Sequence, residues 1–141
     1  MGQSLHFNTY GGNPLACAVG SAVLDVIEED GTQANSARVG EVLVKELLKL
    51  REEFEVVGDV RGKGLMLGVE LVKSKATREP LPPDEVGEIW ENCKDNGVLV
   101  GKGGLYGTVL RIKPPMCISE DDAHFGVAVL RKALKDHEKN H

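Results

Sequence analysis

HFNTYGGNPLACAVGSAVLDVIEEDG, residues 6–31, carries three instructions in succession. Thr9, Gly11 and Gly12 make a tight polar turn. Asn13 before Pro14 is a helix start, because an Asn side chain satisfies a free first-turn amide and proline lacks the N–H that would be orphaned there. Leu15, Val19, Ala22, Val23, Val26 and Ile27 then recur at helical spacing until Gly31 follows the acidic end. Ala16, Ala18, Gly20, Ser21 and Ala22 are small enough for another backbone to approach closely. A face of that kind is what a helix running between two packed bodies would want.

Downstream, Val39, Leu43, Leu47 and Leu50 predict an amphipathic helix over 35–51. Residues 54–60 and 65–72 are expected strands joined by a glycine-punctuated turn, and they are expected to pair. Residues 73–83, with three prolines, are an expected exposed loop. Asp84 opens a helix with Val86, Ile89, Trp90 and Cys93 on one stripe and Asn96-Gly97 at its end. Short strands are expected at 98–100 and 109–113, flanking a glycine loop over 101–107, and Pro114-Pro115 ends the second. Ser119 caps a last helix, 120–137, with acidic residues at its positive end and Phe125, Ala128, Val129 and Ala133 inward.

The 141 residues suffice for one domain that buries about 68 to 70% of its unfolded surface. Lys and Arg number 17 against 22 Asp and Glu, a net charge of -5, which argues against nucleic acid as partner. The longest weakly polar stretch, 15–24, is too short to cross a membrane, so no membrane association is expected. Cys17, Cys93 and Cys117 are widely spaced with no CxxC pair, which fits buried structural thiols in a reducing compartment. No basic stretch followed by an apolar one opens the chain, so no targeting address is readable. The 17 glycines stand out, at about 12% of the chain against roughly 7% in average proteins.

Four constellations carry possible chemistry. The turn from His6 to Pro14 reads either as an anion grip, with Thr9 as a directional donor beside glycines and a helix start, or as a tight turn with an ordinary cap. RGKGLMLG, residues 61–68, fails as a dinucleotide fingerprint: position 67 is Leu where GxGxxG needs Gly, and the segment leads into a strand rather than a helix. In GKGGLYGTVLRIKPP, residues 101–115, Val109, Arg111 and Lys113 share one strand face. Arg111 there is either a bidentate carboxylate clamp or part of a solvated edge. His137-Glu138-Lys139-Asn140-His141 matches HExxH, but the second His sits where helices fray and no third ligand is indicated, so no metal site is expected.

Taken together, HFNTYGGNPLACA, GDVRGKGLMLGVEL, GVLVGKGG and LRIKPPMCI, in that order, resemble the C-terminal portion of class III pyridoxal-phosphate aminotransferases, most closely the alanine-glyoxylate branch. The resemblance runs from His6 to about residue 135. It implies a fold type I enzyme, acting as a homodimer or higher homo-oligomer, that moves an amino group from alanine or a related amino acid to glyoxylate or pyruvate. Pyridoxal 5'-phosphate would be the cofactor, and small amino and oxo acids the partners. By resemblance, Thr9 reaches the cofactor phosphate of the neighbouring subunit and Arg111 binds the substrate carboxylate.

The resemblance further implies three parts: residues 1–13 as a phosphate-contacting segment of a large domain, 14–34 as a connecting helix, and 35–141 as a small α/β domain. That domain is expected to be a short antiparallel sheet covered by helices on one side. The family's Schiff-base lysine and the aspartate under the pyridine nitrogen lie upstream of the TYGGNP-like block. No lysine precedes Thr9 here, and Lys102 lies in the wrong block to replace it, so the 141 residues are expected to be inactive alone. An autonomous, non-catalytic α/β interaction module is the alternative reading. A mitochondrial location is implied by resemblance only, with peroxisome and cytosol as alternatives.

Overall fold

The protein is described by a computed structural model over residues 7–141. His6, and with it the first six residues of the expected 1–13 segment, lie outside the described residues. The chain forms two units, one ending at Gln33 and the other Ala34–His141.

In the first unit, α1 spans Pro14–Glu29. The Asn13 carboxamide oxygen accepts from the Ala16 amide at 2.9 Å, and its NH2 donates to the Tyr10 carbonyl at 2.8 Å, so one side chain ties turn and helix together. Gly31, at φ +60°, ends the segment, with its amide donating to the Glu28 carbonyl at 3.1 Å. No residue of α1 is buried.

α2 spans Thr32–Glu53, starting three residues earlier than the periodicity suggests because a single turn at Asp30 and Gly31 suffices to separate the helices. Its stripe of Val39, Leu43, Leu47 and Leu50 is buried as predicted. β1 is Val57–Lys63 rather than 54–60. Phe54 does not begin a strand. Its amide closes on the Leu50 carbonyl at 2.9 Å and its ring, 1% exposed, plugs the core. The strand instead runs on through Gly62, whose φ of +146° and 2.1 Å approach of a hypothetical Cβ to the Met66 carbonyl oxygen admit only glycine. β2, Met66–Leu71, pairs antiparallel with β1 from Lys63 opposite Met66 to Val57 opposite Leu71.

α3 spans Pro83–Asp95, β3 Gly101–Gly103, β4 Val109–Ile112 and α4 Glu120–Asn140. The four strands form one antiparallel sheet in the order β1-β2-β4-β3. Leu67, Val69, Leu71 and Leu110 are buried with the apolar stripes of α2, α3 and α4 in one core. The opposite face carries Asp59, Arg61, Glu70 and Arg111. The expected one-sided antiparallel sheet is thus what forms. Among the described residues no helix is long and apolar enough to cross a membrane.

Four expectations need correction. Residues 98–100 are not a strand: the Val98 amide caps α3 on the Cys93 carbonyl at 2.9 Å, and the Trp90 indole donates to the Val100 carbonyl at 2.6 Å, so the ladder begins at Gly101. In α4 the buried stripe is Ala123, Val127, Leu130 and Leu134, with Val129 and Ala133 beside it, whereas Phe125 is 57% exposed and Ala128 is exposed. A helical turn of 100° per residue puts 125 and 128 away from that stripe. α4 runs to Asn140, three residues past the expected end at 137, and His137 within it is buried. Finally, only Cys93 is a buried thiol; Cys17 and Cys117 are exposed.

A Cβ on Gly40 of α2 would lie 2.5 Å from the Gly64 carbonyl carbon and oxygen, backbone atoms that cannot rotate away, whereas one on Gly87 of α3 meets nothing within 4 Å. Gly40→Ala is expected to destabilise by about 1–3 kcal/mol through overpacking, and Gly87→Ala to stabilise by about 0.5–1 kcal/mol through reduced unfolded-state freedom; urea unfolding midpoints check both. Burial pushes the Cys93 thiol up to about 11. The stability held by its protonated form is complete below the ordinary value of 9.0 and declines as pH rises from there towards about 11. A thiol reagent at mildly alkaline pH is expected to label Cys17 and Cys117 at once and Cys93 only after unfolding.

Candidate functional site

The alternation of β4 sends Leu110 into the core at 0% exposure and Arg111 onto the open face. Arg111 lies opposite Gly68 of β2 and Gly101 of β3, and Gly68 in turn lies opposite Arg61 of β1. A row therefore crosses the sheet in the order Arg61, Gly68, Arg111, Gly101, with each arginine flanked by a residue that has no side chain.

Those glycines decide where the Arg111 side chain can lie. A Cβ on Gly101 would stand 3.1 Å from Arg111 Nε and 3.2 Å from Nη2, and one on Gly103 would stand 3.2 Å from its Cδ. The aliphatic stem and guanidinium run along the bare backbone of β3, and larger residues there would force them off it. The sequence showed a loop of glycines; the structure shows a strand whose glycines seat an arginine. Gly104 and Gly107, at φ +85° and +72°, make the turn that follows, which carries the exposed Leu105 and Tyr106.

The two arginines of the row differ in charge state of their surroundings. Arg61 Nη1 lies 2.9 Å from Asp59 Oδ2 and 2.6 Å from Glu70 Oε2. Its pKa is raised, first by the Asp59 hydrogen bond and then by Glu70's, and its charge is spent inside the protein. Arg111 has no ion pair or hydrogen bond among the described residues. A guanidinium without an internal anion, fixed in direction and open to solvent, offers two parallel donors to a carboxylate from outside. Periodicity could find Arg111, but not that Asp59 and Glu70 neutralise its neighbour, a pairing set by the β1–β2 register.

Thr9 belongs to the first unit and Arg111 to the second. Thr9 is exposed in a turn whose Gly11 amide donates to the Asn8 carbonyl at 3.2 Å and whose Gly12 has φ +71°. The amides of α1's first turn are less available than the sequence suggests, because Ala16 is capped by Asn13 Oδ1 and Cys17 bonds the Asn13 carbonyl at 3.0 Å. What this turn offers outward is the Thr9 hydroxyl and a glycine backbone. Lys102 sits on the other face of β3, its Nζ 5.0 Å from the centre of the Trp90 ring.

One grouping escaped the sequence reading. His137 and His141 meet Glu85 and Glu88 of α3, a third and a fourth polar group more than fifty positions upstream that no local pattern reveals.

A profile of the family described as aminotransferase class-III matches residues 1–134. Over 132 residues the chain is 54% identical to mitochondrial alanine–glyoxylate aminotransferase 2 of Homo sapiens and of Pongo abelii, covering 94% of this chain and 26% of each relative. An Arabidopsis thaliana mitochondrial homolog is 47% identical over 89% of this chain and 26% of its own length. Among solved structures, a Bacillus anthracis aminotransferase superposes with a TM-score of 0.85 at 37% identity, over 93% of this chain and 30% of that one. An amine transaminase from an uncultivated Pseudomonas species, in its PLP-bound form, gives 0.83 at 38% identity, over 95% and 30%. The chain thus spans about a quarter of the length of the curated relatives it matches.

Proposed function

Because this chain belongs to the class III aminotransferases, we propose that it is the part of a pyridoxal-phosphate-dependent transaminase that orients the substrate through Arg111 and lends Thr9 to the cofactor phosphate. The enzyme transfers an amino group from alanine or a related amino acid to glyoxylate or pyruvate. The observation that carries the reading is the state of Arg111, an unpaired guanidinium seated along glycines on an open sheet face, beside an Arg61 that is already neutralised.

Both substrates of such a reaction are small acids whose common handle is a carboxylate, so one bidentate cation serves donor and acceptor alike. Arg111 binds that carboxylate and fixes which end of the acid faces the reacting centre. The Asp59–Arg61–Glu70 group pairs one competing cation on the same face and leaves the Arg111 guanidinium available. Pyridoxal phosphate, when bound, supplies the electron sink for the amino transfer. The residues present fit one of its contacts: a phosphate oxygen would accept from the exposed Thr9 hydroxyl, which has no partner among the described residues and lies beside glycines that let an anion approach.

By resemblance, Thr9 serves the cofactor of a neighbouring subunit, so the working enzyme is a homodimer or a larger homo-oligomer. A mitochondrial location is inferred from the names of the relatives. The lysine that carries the cofactor in the family lies upstream of the TYGGNP-like block, so the 141 residues by themselves do not transaminate.

In the enzyme that carries this chain, Arg111→Ala is expected to lower kcat/KM for alanine by roughly 30- to 700-fold, the loss of about 2–4 kcal/mol of charged hydrogen bonding, with cofactor affinity nearly unchanged. Arg111→Lys keeps the charge but not the fork and is expected to fall between. Equal losses of substrate and cofactor binding would remove Arg111 from its role. The 141-residue chain mixed with pyridoxal phosphate, alanine and glyoxylate is expected to yield no pyruvate.

A further inference from the structure

Away from the open sheet face, the last turn of α4 meets the first turns of α3. The His137 side chain is 4% exposed, and its Nε2 lies 2.8 Å from Glu85 Oε2. His141 Nε2 lies 3.1 Å from Glu88 Oε2. The two imidazoles, four residues apart and therefore on one helix face, stack with centroids 4.7 Å apart and planes at 27°. One ligand-capable atom from each of Glu85, His137 and His141 lies within 4.8 Å of the other two. These residues line an open cavity of 220 Å³ whose other charged groups are Glu55, Glu138 and Lys73.

We propose that Glu85, His137 and His141 form a binding site for one divalent transition-metal ion, a function separate from the amino-transfer site. Two imidazole nitrogens and a carboxylate oxygen are the donor set suited to zinc, cobalt, nickel or copper, and not to calcium or magnesium, which take oxygen ligands. With bonds of about 2.0–2.1 Å, tetrahedral donors stand about 3.4 Å apart, so donors now within 4.8 Å of one another have to draw in by no more than about 1.4 Å. His137 is the fixed member: its Nδ1 is buried without a partner, so Glu85 at Nε2 is the polar contact that sets the ring's direction. His141 and Glu85 are more open and supply the adjustment.

Charge favours a cation here. Glu85 and Glu138 line the cavity and Glu88 lies beside it, Lys73 is the one cation among the lining residues, and Glu55 is paired with Lys75; the carbonyl end of α4 adds partial negative charge. With three protein ligands and an open cavity, at least one coordination position is left for water or a small anion.

The test uses the metal-free chain carrying Cys17→Ser and Cys117→Ser, which removes the exposed thiols as rival ligands. Calorimetric titration with Zn²⁺ is expected to show one equivalent bound with micromolar affinity, and Co²⁺ to give a visible absorption band of low-coordinate cobalt. Glu85→Gln and His141→Ala, both at solvent-accessible positions, are each expected to weaken binding roughly 10- to 100-fold with circular dichroism unchanged. No saturable uptake at micromolar metal, or uptake that both variants leave unaltered, overturns the proposal.

Discussion

The register of β4 is the constraint on which the other features rest. Leu110 is fully buried beneath the helices, and a slip of one residue would exchange it with Arg111, placing a guanidinium in an apolar core. That cost holds β4 between β2 and β3, and with it the cross-strand row of Arg61, Gly68, Arg111 and Gly101. The same buried leucine thus secures both the fold and the direction of the charge that faces outward.

Sidedness gives the open face its chemistry. Because α2, α3 and α4 all pack on one side, the other is free to carry ions, and it sorts them by register. Arg61 falls where Asp59 and Glu70 can reach it, and Arg111 falls where its nearest neighbours are glycines. A difference of two strands separates a structural cation from an available one.

The sequence made the helices legible where apolar residues repeat without competition, as in α2 and α3. It misled in three places, each for a physical reason. Phe54 reads as a strand start, yet its amide closes the end of α2 while its ring sits in the core, and Phe125 reads as inward, yet it faces solvent, since an aromatic ring alone does not set phase. β3 was hidden because its residues are Gly101, Lys102 and Gly103, which have poor strand propensity, and a strand there is specified by the ladder with β4 and by Arg111 above it. For the histidines at the end of α4 the sequence indicated no third partner, whereas α3, packing on α4, brings Glu85 to the buried His137 ring. Arg111 itself was visible from strand alternation; its freedom from partners was not, since that depends on which carboxylates the hairpin register delivers elsewhere.

The first helix has a consequence for how the chain behaves in water. Leu15 is 75% exposed and Leu24 67%, with Val19, Val23 and Val26 also open, so α1 presents to water a surface with the composition of an interior. An apolar surface of that kind is of the sort that contacts with further protein cover. During synthesis that helix also emerges before the sheet and its helices, and so is an early client for whatever holds nascent chains apart until their neighbours arrive.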